Sequence, residues 1–241
     1  MTNMAALILS ILLAALPSGR DAARRVESEL ARDVSAEKIS VVIKGGATSG
    51  GVWSADSVEA ALSGWETDSG RATSAKIVFK SPRARMENGT WKLDGCDKAT
   101  VAIRFSEEDI WTAAALRASG AQFTSLEFIG GAKILIKGTY QIYMGIPVVF
   151  SVSGTPEVRS GSEIVLAGPL EIKAAGARLG RWADAHVLRI VNPLADIDDW
   201  DVSSALLRRG ASDAGGWMSM SLKSVKIENG LLVISGELKG R

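Results

Sequence analysis

Leu222 to Leu238 reads LKSVKIENGLLVISGEL. Val225 and Ile227 bracket Lys226, so one side of this run is apolar and the other is charged, which is the two-residue period of a half-buried strand. Asn229-Gly230 follows, and then Leu232, Ile234 and Leu238 resume the apolar series. An Asn-Gly pair between two alternating runs is a strong short-range hairpin signal, because both residues tolerate the left-handed backbone that a tight primed turn needs. Strands joined in this way are antiparallel neighbours.

The same pattern extends back along the chain. Ile77 and Phe79 alternate with Lys76, Val78 and Lys80, and Val101, Ile103 and Phe105 share a face in 100–105. Leu126 and Phe128 flank Glu127, and Ile134 and Ile136 alternate with Lys133, Leu135 and Lys137. Further sets are Tyr140, Ile142 and Met144, then Val148, Phe150 and Val152. Ile164 and Leu166 come next, with Leu170 and Ile172 beyond Pro169, and a weaker alternation runs from Lys38 to Lys44. Leu135 and Val149 interrupt the alternation, so the faces are inferred from polarity. Asn88-Gly89 and Gly130-Gly131 supply two more turns. The chain therefore reads as an antiparallel meander of about ten strands, too many for a flat open sheet, which must curl or split.

Helices are few. Ser18 can cap a helix with Asp21 in its first turn and Ala22, Ala23, Val26 and Leu30 on one stripe. Arg24, Arg25, Glu27 and Arg32 lie off that stripe, as on a solvated face or one touching lipid headgroups. Ser106-Glu107-Glu108-Asp109 has the capping-box pattern, with Ile110, Ala113 and Ala114 behind it and Gly120 as the stop. A short helix fits Val202 to Arg209, and Gly210 to Gly216 reads as a loop. The fold class expected is α+β, mostly β.

Composition narrows the function. The 241 residues are 46% hydrophobic and 23% charged, with Lys and Arg at 28 against 27 Asp and Glu, a net charge of +1. Nucleic-acid binders rely on excess cations, so no nucleic acid is expected. One cysteine, Cys96, excludes an internal disulfide framework and a Cys-based zinc site. The single histidine, His186, excludes multi-His metal sites. Ala5 to Leu16, AALILSILLAAL, is short of the ~20 apolar residues that span a bilayer, and it fits the core of a secretory signal. Residues 1–18 are therefore read as a signal peptide or N-terminal membrane anchor, and 19–241 as one domain, exported or tethered. A buried terminal helix is the alternative.

Sites of chemistry are sparse. Asp196, Asp198, Asp199 and Asp201 crowd one segment, but the glycine and terminal glutamate of a calcium loop are missing, so a solvated turn is the plainer reading. His186 has no acid or nucleophile at a recognisable spacing. No nucleophile elbow and no phosphate loop occurs. Trp65, Trp91, Trp111 and Trp182 fit either a core or an interfacial belt. Arg83 and Arg85 share a strand face near Lys80 and Lys92. They suit a phosphate headgroup, whose oxygens pair with the guanidinium fork, or else an ordinary polar face. No catalytic residue, metal ligand or cofactor is assigned, and the chain is not expected to be an enzyme.

The apolar faces need cover. About ten strands present one each, and only two amphipathic helices stand out to bury them. The sheet can close on itself, wrap a helix, or leave a groove that an apolar ligand fills. A few hundred Å² of unfilled apolar groove costs several kcal/mol at about 25 cal/mol per Å².

The order of elements resembles a known family. An export segment and an amphipathic helix precede KISVVIKG (38–45). VEAALSGWETDSGRATSAKIVFKS (58–81), ATVAIRFSEEDIWTAAAL (99–116), VLRIVNPLADIDDW (187–200) and the closing hairpin follow. This is similar to the LmeA-type phospholipid-binding family of bacteria across about residues 20–238. The Asn-Pro-Leu-x-Asp segment at 192–196 is its most specific part, and the 201–220 stretch reads as an insertion. The resemblance implies a highly curved antiparallel meander wrapped around an amphipathic helix, as in tubular lipid-binding domains. It also implies a cell-envelope or periplasmic protein that binds phospholipid or another amphiphile at a membrane surface. The candidate groove residues are then Ile77, Phe79, Val101, Ile103, Leu126, Phe128, Ile134, Ile136, Val148, Phe150, Leu166 and Ile234. Arg83 and Arg85 are the headgroup candidates. A membrane-tethered structural or protein-interaction module with a closed core satisfies the same pattern.

Overall fold

The computed structural model describes residues 23–24, 26–28, 30–31, 34–67, 70–87, 90–115, 121–142, 146–174, 181–196 and 218–240. Residues 1–18, the helix expected at 202–209 and Asp198, Asp199 and Asp201 lie outside them. The first strands are β1 (Ser35–Lys44), β2 (Ala47–Ser49), β3 (Val52–Ser54), β4 (Ser57–Thr67), β5 (Gly70–Lys80), β6 (Arg83–Glu87), β7 (Thr90–Gly95) and β8 (Lys98–Phe105). The later ones are β9 (Ala121–Ile129), β10 (Lys133–Ile142), β11 (Ile146–Arg159), β12 (Glu163–Ala174), β13 (Ala195–Asp196), β14 (Met218–Glu228) and β15 (Leu231–Gly240). Helix α1 is formed at 23–24, 26–28 and 30–31, α2 spans Glu107–Ala115 and α3 spans Arg181–Val191. The protein is mostly β.

The strands form three open sheets rather than the one meander expected: β1-β4-β5-β8-β15-β14, β13-β12-β11-β10-β9, and β2-β3-β6-β7. The described ladders within them are antiparallel, and neighbours in sequence are mostly neighbours in space. The chain also divides into two compact units. The first holds Met1–Ile103, Asp198–Ser221 and Ser235–Arg241; the second holds Arg104–Ile197 and Leu222–Ile234.

Within the first unit the four-stranded sheet arises from bends. Runs break at Gly45-Gly46, Ala55-Asp56, Ser81-Pro82 and Cys96-Asp97, and hydrogen bonds cross the breaks. Asp56 N donates to Lys44 O at 2.8 Å, Ser81 N to Asp56 O at 3.0 Å and Asp97 N to Lys80 O at 3.0 Å. Left-handed backbone at Gly45 (φ 67°) and Ser81 (φ 47°) makes the turn. A Cβ at Gly45 would also lie 2.1 Å from Asp56 Oδ2, so the Asp56 carboxyl would have to swing aside.

β4 was not read from the sequence. It pairs with both β1 and β5, and Val58, Ala60 and Leu62 are buried along it. On α1, Val26 and Leu30 are buried while Arg24 and Ser28 are exposed.

In the second unit, two pairs of sequence runs prove to be single strands. Ile134–Ile136 and Tyr140–Ile142 belong to β10, whose pairing with β9 slips between Lys137 and Gly138. Ile164–Leu166 and Leu170–Ile172 belong to β12, whose pairing with β11 slips between Ser153 and Thr155. The expected turns at Gly130-Gly131 and Asn229-Gly230 sit where the residues suggested, and the one expected at Asn88-Gly89 lies outside the described residues. Asn229 (φ 52°) and Gly230 (φ 72°) are both left-handed, as a primed turn needs. The Ser106 cap forms as a reciprocal box at the start of α2: Asp109 N donates to Ser106 Oγ at 3.1 Å, and Ser106 N to Asp109 Oδ2 at 2.9 Å.

Candidate functional site

The groove candidates fall in both units. In the first, Ile77 stands across from Ala60 and Phe79 across from Val58, and with Val101 and Ile103 on β8 they are buried. In the second, the ladders place Leu126 and Val152 on either side of Ile136, and Phe128 and Gly154 on either side of Ile134. Val148 and Ala121 flank Tyr140. The slip at Gly138 leaves Thr124 without an opposite number, so Phe123 and Leu126 stay on one face although they lie an odd three positions apart. Leu166 continues that face across from Pro156, and Ile234 lies in β15.

Gly138 makes this face possible. Phe123 and Phe150 stand across from it, with their rings edge to face at 6.3 Å and 82°. A Cβ at 138 would lie 2.8 Å from Phe150 Cζ and 2.8 Å from Gln122 O. The Phe150 ring thus occupies the space a side chain would take.

Exposure separates these residues. Ile134, Phe150, Leu166 and Ile234 are 0%, 1%, 3% and 1% exposed, and Phe128 and Val148 are half-buried. The apolar face is therefore packed by the chain itself. Leu135 and Val149, which broke the alternation, lie on the opposite face, where Leu135 is half-buried and Val149 is exposed. That face also carries Glu127, which accepts from Lys137 Nζ at 2.8 Å and from Ser125 Oγ at 3.1 Å. These two hydrogen bonds, then the Lys137 charge, hold the Glu127 carboxyl below the usual carboxylate range.

The headgroup candidates are exposed but engaged. Arg85 Nη2 lies 3.1 Å from Asp94 Oδ2, and Arg83 Nη2 lies 3.9 Å from Asp97 Oδ1. A phosphate at this face competes with two carboxylates already in place. Cys96, between Gly95 and Asp97, is half-buried. Burial first, then the Asp97 charge, raises its thiol pKa, against the Arg83 charge.

Three polar residues bond to strand edges, a role the sequence did not assign to them. Val41 N of β1 donates to Glu27 Oε1 of α1 at 2.7 Å, and Phe128 N of β9 donates to Glu107 Oε1 of α2. On β12, Leu166 N donates to Asn192 Oδ1 at 2.9 Å, and Asn192 Nδ2 donates to Leu166 O at 3.1 Å. The Asn192 amide thus acts as one residue of a neighbouring strand, Leu194 N continues the ladder to Ile164 O, and the Asn192–Pro193 bond is cis. β1 and β9 end their sheets, where free backbone groups invite a foreign strand, and helix carboxylates occupy one such donor on each. The sequence signal was faint: a glutamate in a helix looks the same whether it faces water or a strand edge.

Among the described residues, no group of three or more His, Cys, Asp or Glu side chains is placed to hold a metal ion. No helix among them is long and apolar enough to cross a membrane. No family model, no curated protein and no solved structure matches this chain.

Proposed function

We propose that the protein binds a phospholipid or a related amphiphile in the bacterial cell envelope, without catalysing a reaction on it. In this reading it is a relative of the LmeA-type family, its curved sheet wraps along an amphipathic helix in the tubular lipid-binding manner, and Arg83 and Arg85 meet the headgroup. The observation that carries it is the apolar face of the second unit. The slip at Gly138 keeps Phe123 on that face with Leu126 and Phe128, although the odd spacing along β9 would otherwise put it on the other side. The buried Val26 and Leu30 of α1 beside exposed Arg24 fit an amphipathic partner. The apolar stretch at 5–16 fits export or tethering.

One observation favours the second reading, a tethered structural or interaction module with a closed core. Ile134, Phe150, Leu166 and Ile234 are all buried without a ligand. An acyl chain taken from a bilayer only exchanges one apolar surrounding for another, so little hydrophobic gain offsets the opening of a packed face.

Native mass spectrometry of residues 19–241 purified from a bacterial host separates the two. A stoichiometric adduct of phospholipid mass supports the lipid-binding reading. A mass that stays apo after incubation with mixed phospholipids replaces it with the closed module.

A further inference from the structure

We infer that the outer face of β1, β4 and β5 is a lysine-bearing docking surface for an anionic lipid bilayer. The inference rests on the membrane setting of the proposed function and not on its groove, and it adds the charge class of the lipid.

The ladders set the three strands in register. Ser57 of β4 lies between Lys44 of β1 and Lys80 of β5, and in the next row Glu59 lies between Val42 and Val78. Lys76 and Lys38 belong to the two rows beyond, among serine and alanine. These four rows share one face, because side chains alternate along each strand. The other face is the core side, where Val58, Ala60, Leu62, Ile77 and Phe79 are buried. The twelve outer positions hold four lysines, one glutamate and seven residues that are serine, alanine or valine. That leaves +3 on one face of a chain whose net charge is +1.

The face is open. Lys38, Lys44 and Lys80 are exposed, and Val42 beside them is 44% exposed. Glu59 pairs with Lys76 at 2.6 Å, whereas no described carboxylate is in ion-pair contact with Lys38, Lys44 or Lys80. Two acids border the Lys44–Lys80 end, and each has another neighbour. Asp97 Oδ1 lies 3.9 Å from Arg83 Nη2, and the Asp56 carboxyl lies against Gly45.

Charge complementarity selects the occupant. The lysines spread over about 10 Å across the strands and about 20 Å along them, an area that a layer of anionic headgroups fills and one small anion does not. Protein interfaces are depleted in lysine and anchored by arginine and aromatic rings, and this face has neither anchor. Nucleic acids are held by arginine forks and stacked rings, which are equally missing from it. Lysines beside an anionic leaflet gain attraction by proximity, without a fixed geometry. Val42 adds an apolar contact among them. β1 is also the first strand after the apolar stretch 5–16, so tethering through that stretch leaves this edge of the sheet closest to the membrane along the chain.

The test uses the full chain with two kinds of vesicle, phosphatidylcholine alone and phosphatidylcholine mixed equally with phosphatidylglycerol. Partitioning is read by sedimentation. One variant carries Lys38→Gln, Lys44→Gln and Lys80→Gln. A control carries Arg159→Gln, Lys223→Gln and Lys226→Gln, which removes the same charge from β11 and β14. Each lysine of the face is expected to contribute about fivefold, so the first variant loses on the order of 100-fold on the mixed vesicles. The control is expected to bind as the wild type does. The wild type's preference for the mixed vesicles should vanish at about 1 M salt, where the Debye length is about 3 Å. Ser57→Glu, which sets a carboxylate between Lys44 and Lys80, gives a loss in the same direction if the triple variant does not fold. Equal losses in the two triple variants overturn the inference, because net charge and not this face then drives binding. A wild type that binds both vesicles alike, or neither, also overturns it. The phospholipid adduct of the proposed function is read separately, by native mass spectrometry, and is expected to persist in the triple lysine variant. Loss of that adduct from the variant would place the lysines in the groove and overturn the docking face.

Discussion

Gly138 shows how much one missing side chain can decide. Its backbone is not in the left-handed region, so nothing about its conformation demands glycine. The demand comes from the Phe150 ring and the Gln122 carbonyl, each 2.8 Å from where a Cβ would sit. One of these is backbone and cannot swing away. Gly138→Ala is therefore expected to lower stability by about 1–3 kcal/mol through overpacking, read as a shift of the urea midpoint with an unchanged slope. Gly46, whose backbone is not left-handed and whose added Cβ would meet nothing closer than 3.4 Å, is the steric control.

Glu127 belongs to the same scale. Its carboxyl is held below the ordinary 4.5 by Lys137 and Ser125. A depressed carboxylate contributes stability above its unfolded value, and that contribution is lost as pH falls through the lower folded value. The gap in Tm between the wild type and Glu127→Gln is thus expected at neutral pH and should close on acidification. Because the side chain is exposed, the gap is small and shrinks in salt. A gap that widens in acid would contradict the hydrogen-bonded geometry.

At the scale of elements, the strand edges are the informative places. Asn192 follows α3 directly and presents its amide to β12 as one more rung of the ladder. Removing that amide leaves Leu166 N and Leu166 O without these bonds. Asn192→Ala is expected to cost about 1–3 kcal/mol, with hydrogen exchange accelerated at Leu166 before other β12 amides. Uniform acceleration along β12 would mean the amide supports the helix and not the edge. The same scale explains why β4 was illegible. Its sequence, SVEAALSGWET, is rich in Ala and Ser, which have little strand preference. It becomes a strand because β1 and β5 supply backbone partners on both sides and bury Val58, Ala60 and Leu62.

At the scale of the molecule, the closing hairpin of β14 and β15 supplies Leu222–Ile234 to the second unit and the flanking ends of both strands to the first. A single covalent element thus takes part in both. Ile234, buried within it, is the place to test the consequence. Ile234→Ala is expected to cost about 2–5 kcal/mol and to lower amide protection in both units together. Loss confined to residues 104–197 and 222–234 would show that the units unfold independently.

The sequence by itself determined the β character, the antiparallel connections, the Asn-Gly, Gly-Gly and capping-box signals, and the buried identity of Ile77, Phe79, Ile134 and Phe150. These follow from local periods and from turn chemistry, which act over a few residues. Tertiary structure alone decided that β10 and β12 each run unbroken through a slip, that β4 exists, and that four runs bend where the first unit splits its sheet. It also decided that Arg83 and Arg85 face carboxylates, and that Glu27, Glu107 and Asn192 close strand edges. Each of these depends on which backbone lies alongside. Two residues far apart in sequence gain a shared energy only when the ladder brings them into register.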